Sequence, residues 1–289
     1  MIVDAIKKNV NRDALSSDEA SQAMKEIMSG SATPSQISAF LISLSMKGES
    51  IEEIVALAQT MKEFANRIKP NHDNRLVDIV GTGGDKIKTI NLSTISAFVL
   101  ATSGIMIAKH GNRAATGKCG SADVLDRLGY RLDTKPEKVE ESIEKNGIGF
   151  MFAPIFHPAM KNVIGTRKEI GVRTIFNILG PLTNPAGADS MIVGVANTEL
   201  VDKYADILPK LGCKRAIIVH GLDGLDEIAT FGETKMRFIG DLENEGEEII
   251  VKPDDFGLKK INAQDIAGTG IDYNAEVMYK ILANRLDID

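Results

Sequence analysis

The sequence predicts an α/β protein: a small N-terminal all-helical domain, then a larger α/β domain with a mostly parallel central sheet flanked by helices. Three observations predict it. Residues 1–70 carry helix signals only. From Leu76 onward, short apolar runs alternate with helical patterns, as a parallel layer requires. The first of those runs ends in a glycine-rich turn, Leu76–Asp85, reading LVDIVGTGGD. Pro70 closes the last N-terminal helix, so the domains are 1–70 and 71–289.

In the helical part, Ser16–Glu19 and Ser50–Glu53 have the S-x-x-E spacing of a capping box. Thr33-Pro34 places a capping hydroxyl before proline at a first helical position. Ile37, Phe40, Leu41 and Leu44 recur at helical spacing, as do Ile54, Leu57, Ala58 and Met61. The stretch Ile37–Leu44 suits either a core or an interface between copies. In the large domain, strands are expected at Leu76–Val80, Ile105–Ala108, Ile148–Phe152, Met191–Val195, Ala216–His220 and Glu248–Val251. Helices are expected at Ser93–Thr102, Ala122–Leu128, Pro136–Lys145, Asn162–Ile170 and Glu199–Leu211. The strand order does not follow from this pattern.

Bulk composition narrows the function. A net charge of -6 opposes general affinity for nucleic acid or anionic membrane. No window reaches the length of a membrane span, and MIVDAIKKNVNRD breaks into charge too early for a signal peptide. Cys119 and Cys213 lie far apart without a CxxC pairing, which suits a reducing cytoplasm and gives no disulfide or metal framework.

The chemistry gathers in loops. Glycines let the Gly81–Asp85 turn approach a ligand closely, and successive N–H groups there form an anion-binding concavity. Asp85 would repel a bare phosphate, so a magnesium-bound or hydroxyl-bearing ester fits better; a tight turn that binds nothing is the alternative. Thr89, Asn91, Ser93 and Thr94 stand at a helix entry, where they either cap it or reach the same phosphate. Lys109-His110-Gly111-Asn112-Arg113 follows a strand and offers a point charge and a bidentate fork for phosphate oxygens. Ala114–Asp123, AATGKCGSAD, reads as a second anion loop. His157 before Pro158 suits packing or capping, and Arg167 suits a solvated face. Gly180–Pro185 reads as a rigid loop able to wall off a planar ligand. The adjacent carboxylates Asp226 and Glu227 suit magnesium, or equally a solvated acidic turn.

The ordered set GTGGD, T-x-N-x-S-T, KHGNR, GSAD, HPAM, GPLTNP and DE resembles the anthranilate phosphoribosyltransferase family of tryptophan biosynthesis, from the N-terminal helices through about Gly257. KHGNR followed by GSADVL and FNILGPLTNP is the specific part. Pyrimidine nucleoside phosphorylases share a GTGG-type loop but not KHGNR. A non-catalytic relative that binds nucleic acid is a third reading, opposed by the intact DE pair and the acidic charge.

The resemblance implies transfer of phosphoribose from phosphoribosyl pyrophosphate to anthranilate, with magnesium, two ions per site, in a cytoplasmic homodimer joined through the helical domain. It implies that Gly81, Gly84, Asp85, Thr89, Asn91, Leu92, Ser93 and Thr94 hold phosphoribosyl pyrophosphate. Lys109, His110, Gly111, Asn112, Arg113, Ala114, Ala115, Thr116, Gly117 and Ser121 complete that site. Ser93, Asp226 and Glu227 are the implied metal ligands. Gly81, Asn112 and Arg167 contact anthranilate, Arg167 through its carboxylate, while His110, His157 and Pro181 line its channel. Lys109, Asn112 and Arg167 position the reactants, and no covalent nucleophile is expected. This chain departs from the family at Lys86 and Lys88, where small or polar residues are usual, and at Cys119, where serine is common. Family members also usually continue past Asp289 with further helices of the large domain.

Overall fold

The computed structural model describes residues 1–72, 75–84, 87–114, 119–240 and 245–285. Four helices form the N-terminal unit: α1 (Ile2–Val10), α2 (Ser17–Met28), α3 (Pro34–Lys47) and α4 (Ile51–Glu63). The capping boxes predicted at Ser16 and Ser50 are present, and Thr33 makes a third with Gln36. Glu53 has a second duty. Its fully buried carboxylate accepts the Leu15 N–H at 2.8 Å and pairs with Lys47 at 2.7 Å, so no charge is left uncompensated at that point in the bundle. Ile37, Phe40, Leu41 and Leu44 are all buried, which assigns them to the core. The apolar side chains left exposed on this unit include Val3, Val10 and Met46.

The large domain contains β1 (Leu76–Gly81), α5 (Leu92–Thr102), β2 (Met106–Gly111), α6 (Ser121–Arg127), α7 (Pro136–Asn146), β3 (Ile148–Phe152), α8 (Ala153–Phe156), α9 (Lys161–Ile170), α10 (Phe176–Leu182), β4 (Ser190–Gly194), α11 (Thr198–Lys210), β5 (Arg215–Gly221), β6 (Thr234–Ile239), β7 (Glu248–Val251) and α12 (Ile271–Leu282). The seven strands run in the order β3-β2-β1-β4-β5-β6-β7. β1 to β5 are parallel, and β6 and β7 are added antiparallel. The chain winds outward from β1 to β3, then returns to place β4 on the other side of β1. That reversal opens a crevice beyond the carboxyl ends of β1 and β4, the place where α/β sheets bind ligands.

Besides α8 and α12, which no expected helix covers, elements differ from the sequence expectation in three places. β6 is a strand that the apolar-run criterion passes over, because Lys235 and Arg237 interrupt it. Asp202 on α11 pairs with both, and Glu248 of β7 pairs with Lys235 more closely. The expected rigid loop at Gly180–Pro185 is partly α10, which takes in Gly180 and Pro181. Proline is tolerated there because it sits in the last turn of a short helix and forfeits a single hydrogen bond. Finally, β2 runs on to Gly111, so Lys109 and His110 belong to the strand rather than to a loop after it.

The two domains share one apolar core. Ala20, Met24 and Ile27 of α2, Phe40 of α3 and Leu57 of α4 belong to the same buried cluster as Val163 of α9, Leu179 of α10 and Val193 of β4.

Candidate active site

A cleft of about 530 Å³ lies at the carboxyl ends of β1 and β2. Its geometry begins with close approaches that a side chain would forbid. Gly83 and Gly84 adopt φ of +64° and +87°, the left-handed region that suits glycine. The Gly83 N–H donates to Asp226 Oδ2 at 2.8 Å. A Cβ on Gly81 would stand 2.4 Å from the same oxygen, and one on Gly194 would stand 1.6 Å from the Asp226 carbonyl oxygen. Glycines at the ends of β1 and β4 therefore let the loop after β5 close on them. Asp226 and Glu227, remote in sequence, are thereby brought into the cleft beside the first glycine turn.

Strand alternation separates the next two residues onto opposite faces of the sheet. Lys109 is buried, and its Nζ donates to the Ile79 carbonyl at 2.6 Å and reaches Ser93 Oγ at 3.4 Å. Burial lowers its pKa, and the Asp78 and Glu227 carboxylates oppose that shift. Asp78 is a residue that sequence reasoning misses; its signal is a lone carboxylate inside an apolar strand. Burial pushes its pKa up to about 6, against Lys109, the Asn184 amide and the His110 N–H. Asn184 Nδ2 donates to Asp78 Oδ2 at 2.7 Å and to the Ala108 carbonyl at 2.9 Å, tying the GPLTNP segment to β1 and β2.

His110 meets His157 on the other face, with ring centroids 5.0 Å apart and the Nε2 of each buried without a partner. Burial pushes their pKa values down to about 3 and about 4, so both are neutral at physiological pH. Unfolded imidazoles take up protons near 6.5, whereas these native ones resist until far lower pH. Their stabilising contribution is present above that value and is lost as pH falls. Asp78 acts oppositely, its contribution weakening as pH rises from 3.8 to about 6, but two imidazoles outweigh one carboxyl. The melting temperature should therefore fall between about pH 7 and about pH 5. Calorimetry of His157→Gln should show a flatter profile; a slope equal to wild type removes the histidine contribution.

The second loop is organised by Asp123, whose Oδ2 accepts the N–H groups of Ala114 at 3.0 Å and Gly120 at 2.9 Å. Desolvation alone would raise its pKa, but these donors and Arg113 hold it below the usual range. Arg113 is committed to Asp123 and Asp126 at 2.9 and 2.7 Å. Its guanidinium thus shapes the loop while still lining the cleft.

Of the residues singled out from sequence, the cleft gathers those of the first glycine turn, the α5 entry, Lys109 to Ala114, Ser121, and the Asp226-Glu227 pair. Asp85, Lys86, Ala115, Thr116 and Gly117 lie outside the described residues. Leu92 packs against the apolar cluster around α6 and α12. Arg167 is half-buried with its guanidinium 5.3 Å from the Phe176 ring centroid, and desolvation lowers its pKa. Pro181 lines a separate small cavity with Asp78 and Asn184. Residues that sequence reasoning misses include Arg173, both of whose Nη atoms donate to the Gly83 carbonyl at 3.3 Å, and Gly268, Gly270 and Asn274 near the C-terminus. The GTG triplet at 268–270 is the available signal for the last group.

Among the described residues, no three His, Cys, Asp or Glu side chains cluster into a metal cage. Two adjacent carboxylates and the Ser93 hydroxyl in one cleft suit magnesium, which keeps waters and substrate phosphates in its shell. The Cys119 thiol is no nucleophile, since burial raises its pKa to about 11.

Comparison with known proteins gives the class first. The family described as glycosyl transferase family, a/b domain, matches residues 73–288, and its helical bundle domain matches residues 3–65. The similarity thus continues well beyond Gly257. An anthranilate phosphoribosyltransferase of Persephonella marina is 48% identical over 288 residues, 99% of this chain and 84% of that protein. The crystal structure of the Thermus thermophilus anthranilate phosphoribosyltransferase superposes with a TM-score of 0.91 at 41% identity, covering 99% of this chain and 84% of that one. The Saccharomyces cerevisiae enzyme in complex with PRPP and Mg gives a TM-score of 0.89 at 29% identity, over 97% of this chain and 80% of that one. The chain belongs to the anthranilate phosphoribosyltransferase family.

Proposed function

We propose that this protein transfers the phosphoribosyl group of phosphoribosyl pyrophosphate to anthranilate, releasing pyrophosphate, in tryptophan biosynthesis. The observation that supports it is the Asp226 carboxylate on the Gly83 N–H at 2.8 Å, which brings two adjacent carboxylates suited to magnesium against a glycine turn suited to phosphate. Asp226, Glu227 and Ser93 would hold magnesium, with two ions per site. Bound there, magnesium supplies the charge that makes pyrophosphate a competent leaving group.

The chain's own residues do the rest. With the Gly83 N–H taken by Asp226, Gly84 of the turn and the Ser93 end of the α5 entry hold the pyrophosphate end. Lys109, fixed on the Ile79 carbonyl beside Ser93, contributes positive potential beneath it. The acceptor's aromatic amine is neutral and nucleophilic at pH 7, so the protein has to aim it rather than deprotonate it. Neutral His110, which lines the cleft with neutral His157 packed against it, suits the wall of an aromatic site, because it adds no charge there.

Mixing protein, magnesium, phosphoribosyl pyrophosphate and anthranilate should deplete anthranilate fluorescence. No depletion, together with phosphorolysis of uridine or thymidine, would establish a nucleoside phosphorylase instead. We assign Arg167 to the anthranilate carboxylate, since no carboxylate of the described residues pairs with it. Arg167→Ala should raise the KM for anthranilate about tenfold, the scale of one charge-assisted hydrogen bond. An effect confined to phosphoribosyl pyrophosphate contradicts the assignment. A homodimer through the helical domain is the assembly the family resemblance implies, and Val3, Val10 and Met46 are apolar side chains exposed on that domain. No helix among the described residues is long and apolar enough to cross a membrane, and the two free thiols fit a cytoplasmic location.

A further inference from the structure

Asn91 occupies the N-cap of α5, yet its side chain makes no capping hydrogen bond. Its carboxamide turns instead toward the C-terminal part of the chain. Asn91 Oδ1 accepts from Asn274 Nδ2 at 3.0 Å and from the Cys119 thiol at 3.6 Å. The Asn91 oxygen is placed on the Asn274 Nδ2 donor, with the Cys119 thiol, which also faces the Gly120 carbonyl at 3.7 Å, beside it. The amide N–H groups of Asn91 are then left for the cleft that this residue lines.

Asn274 is held firmly for that task. It is 2% exposed on the first turn of α12, and its own Oδ1 is buried without a partner. The strand-like pairing of Ile90 N–H with the Ile266 carbonyl at 2.9 Å and of Gly268 N–H with the Lys88 carbonyl at 2.9 Å brings α12 to the α5 entry. A Cβ on Gly268 would come within 2.9 Å of Asn274 Nδ2 and 2.4 Å of the Thr89 carbonyl. This approach of the two segments therefore needs glycine at 268.

We propose that Asn274 is a positioning residue for phosphoribosyl pyrophosphate: it fixes the Asn91 carboxamide so that its N–H groups face the anion. The inference rests on the phosphoribosyl transfer reading.

Calorimetric titration with magnesium and phosphoribosyl pyrophosphate tests it on four proteins: wild type, Asn274→Asp, Asn91→Ala and the double variant. Aspartate keeps the shape of Asn274 but cannot donate, so the Asn91 amide must turn its N–H groups away from the cleft. Binding should weaken about tenfold in Asn274→Asp, with the KM for anthranilate unchanged. In the Asn91→Ala background the same substitution should cost nothing further, as coupled residues require. Equal losses in both backgrounds overturn the proposal. Asn274→Ala removes the donor without adding charge and should weaken binding in the same direction. Wild-type affinity in the alanine variant would make the aspartate result simple repulsion and also overturn it. A wild-type protein that binds no phosphoribosyl pyrophosphate sinks the underlying reading instead.

Discussion

Asp226→Asn combined with Glu227→Gln should lower kcat/KM by about 100-fold or more, roughly 2.7 kcal/mol of transition-state stabilisation. The substitution separates charge from shape. Asparagine at 226 still offers an oxygen to the Gly83 N–H, so the 2.8 Å contact that seats the glycine turn survives. What is lost is negative charge in the cleft. Activity should therefore recover in part as magnesium is raised, with half-saturation displaced upward. Steady-state rates across a magnesium titration check this, and an unchanged magnesium dependence would remove the metal role from the pair.

Gly194→Ala should be among the most damaging single methyl groups that the chain could acquire. Its Cβ would stand 1.6 Å from the Asp226 carbonyl oxygen and 2.5 Å from the carbonyl carbon. Backbone atoms cannot rotate away as a side-chain tip can, so either β4 or the loop after β5 must move. Overpacking of this kind costs about 3 kcal/mol. The displaced Asp226 should take activity with it, by about 100-fold on the same reasoning as above. Gly165→Ala is the matched control. It lies within α9, where an added methyl group would meet nothing within 4 Å and φ is not positive, so it should be neutral or slightly stabilising. Thermal melts and rates of both variants decide it; a Gly194→Ala protein with wild-type values would show that the loop yields freely.

Local signals are legible where one short segment carries the physics. Capping boxes at Ser16 and Ser50 are complete in four residues, and the helices begin where those residues place them. The strand β1 and its glycine turn are readable for the same reason. Lys109 reads as a loop cation because the KHGNR run is polar. In the structure it is a buried strand residue, and its polarity is satisfied by Ile79 and Ser93 from other segments. Asp78 escapes notice likewise, since its partners Asn184 and Lys109 are distant in sequence. β6 is hidden because its charges are answered by Asp202 across α11, a pairing invisible along the chain.

By itself, the sequence determined the family, the helical and α/β domains, and most of the residues that the cleft collects, because motifs and periodicity are properties of neighbours along the chain. Only the tertiary structure decided the strand order, the seating of Asp226 on Gly83, and the entry of Arg173 and Asn274 into the site. Those depend on close approaches between segments far apart in the chain, at Gly81, Gly194 and Gly268, where the absence of a side chain has meaning only once its neighbour in space is known.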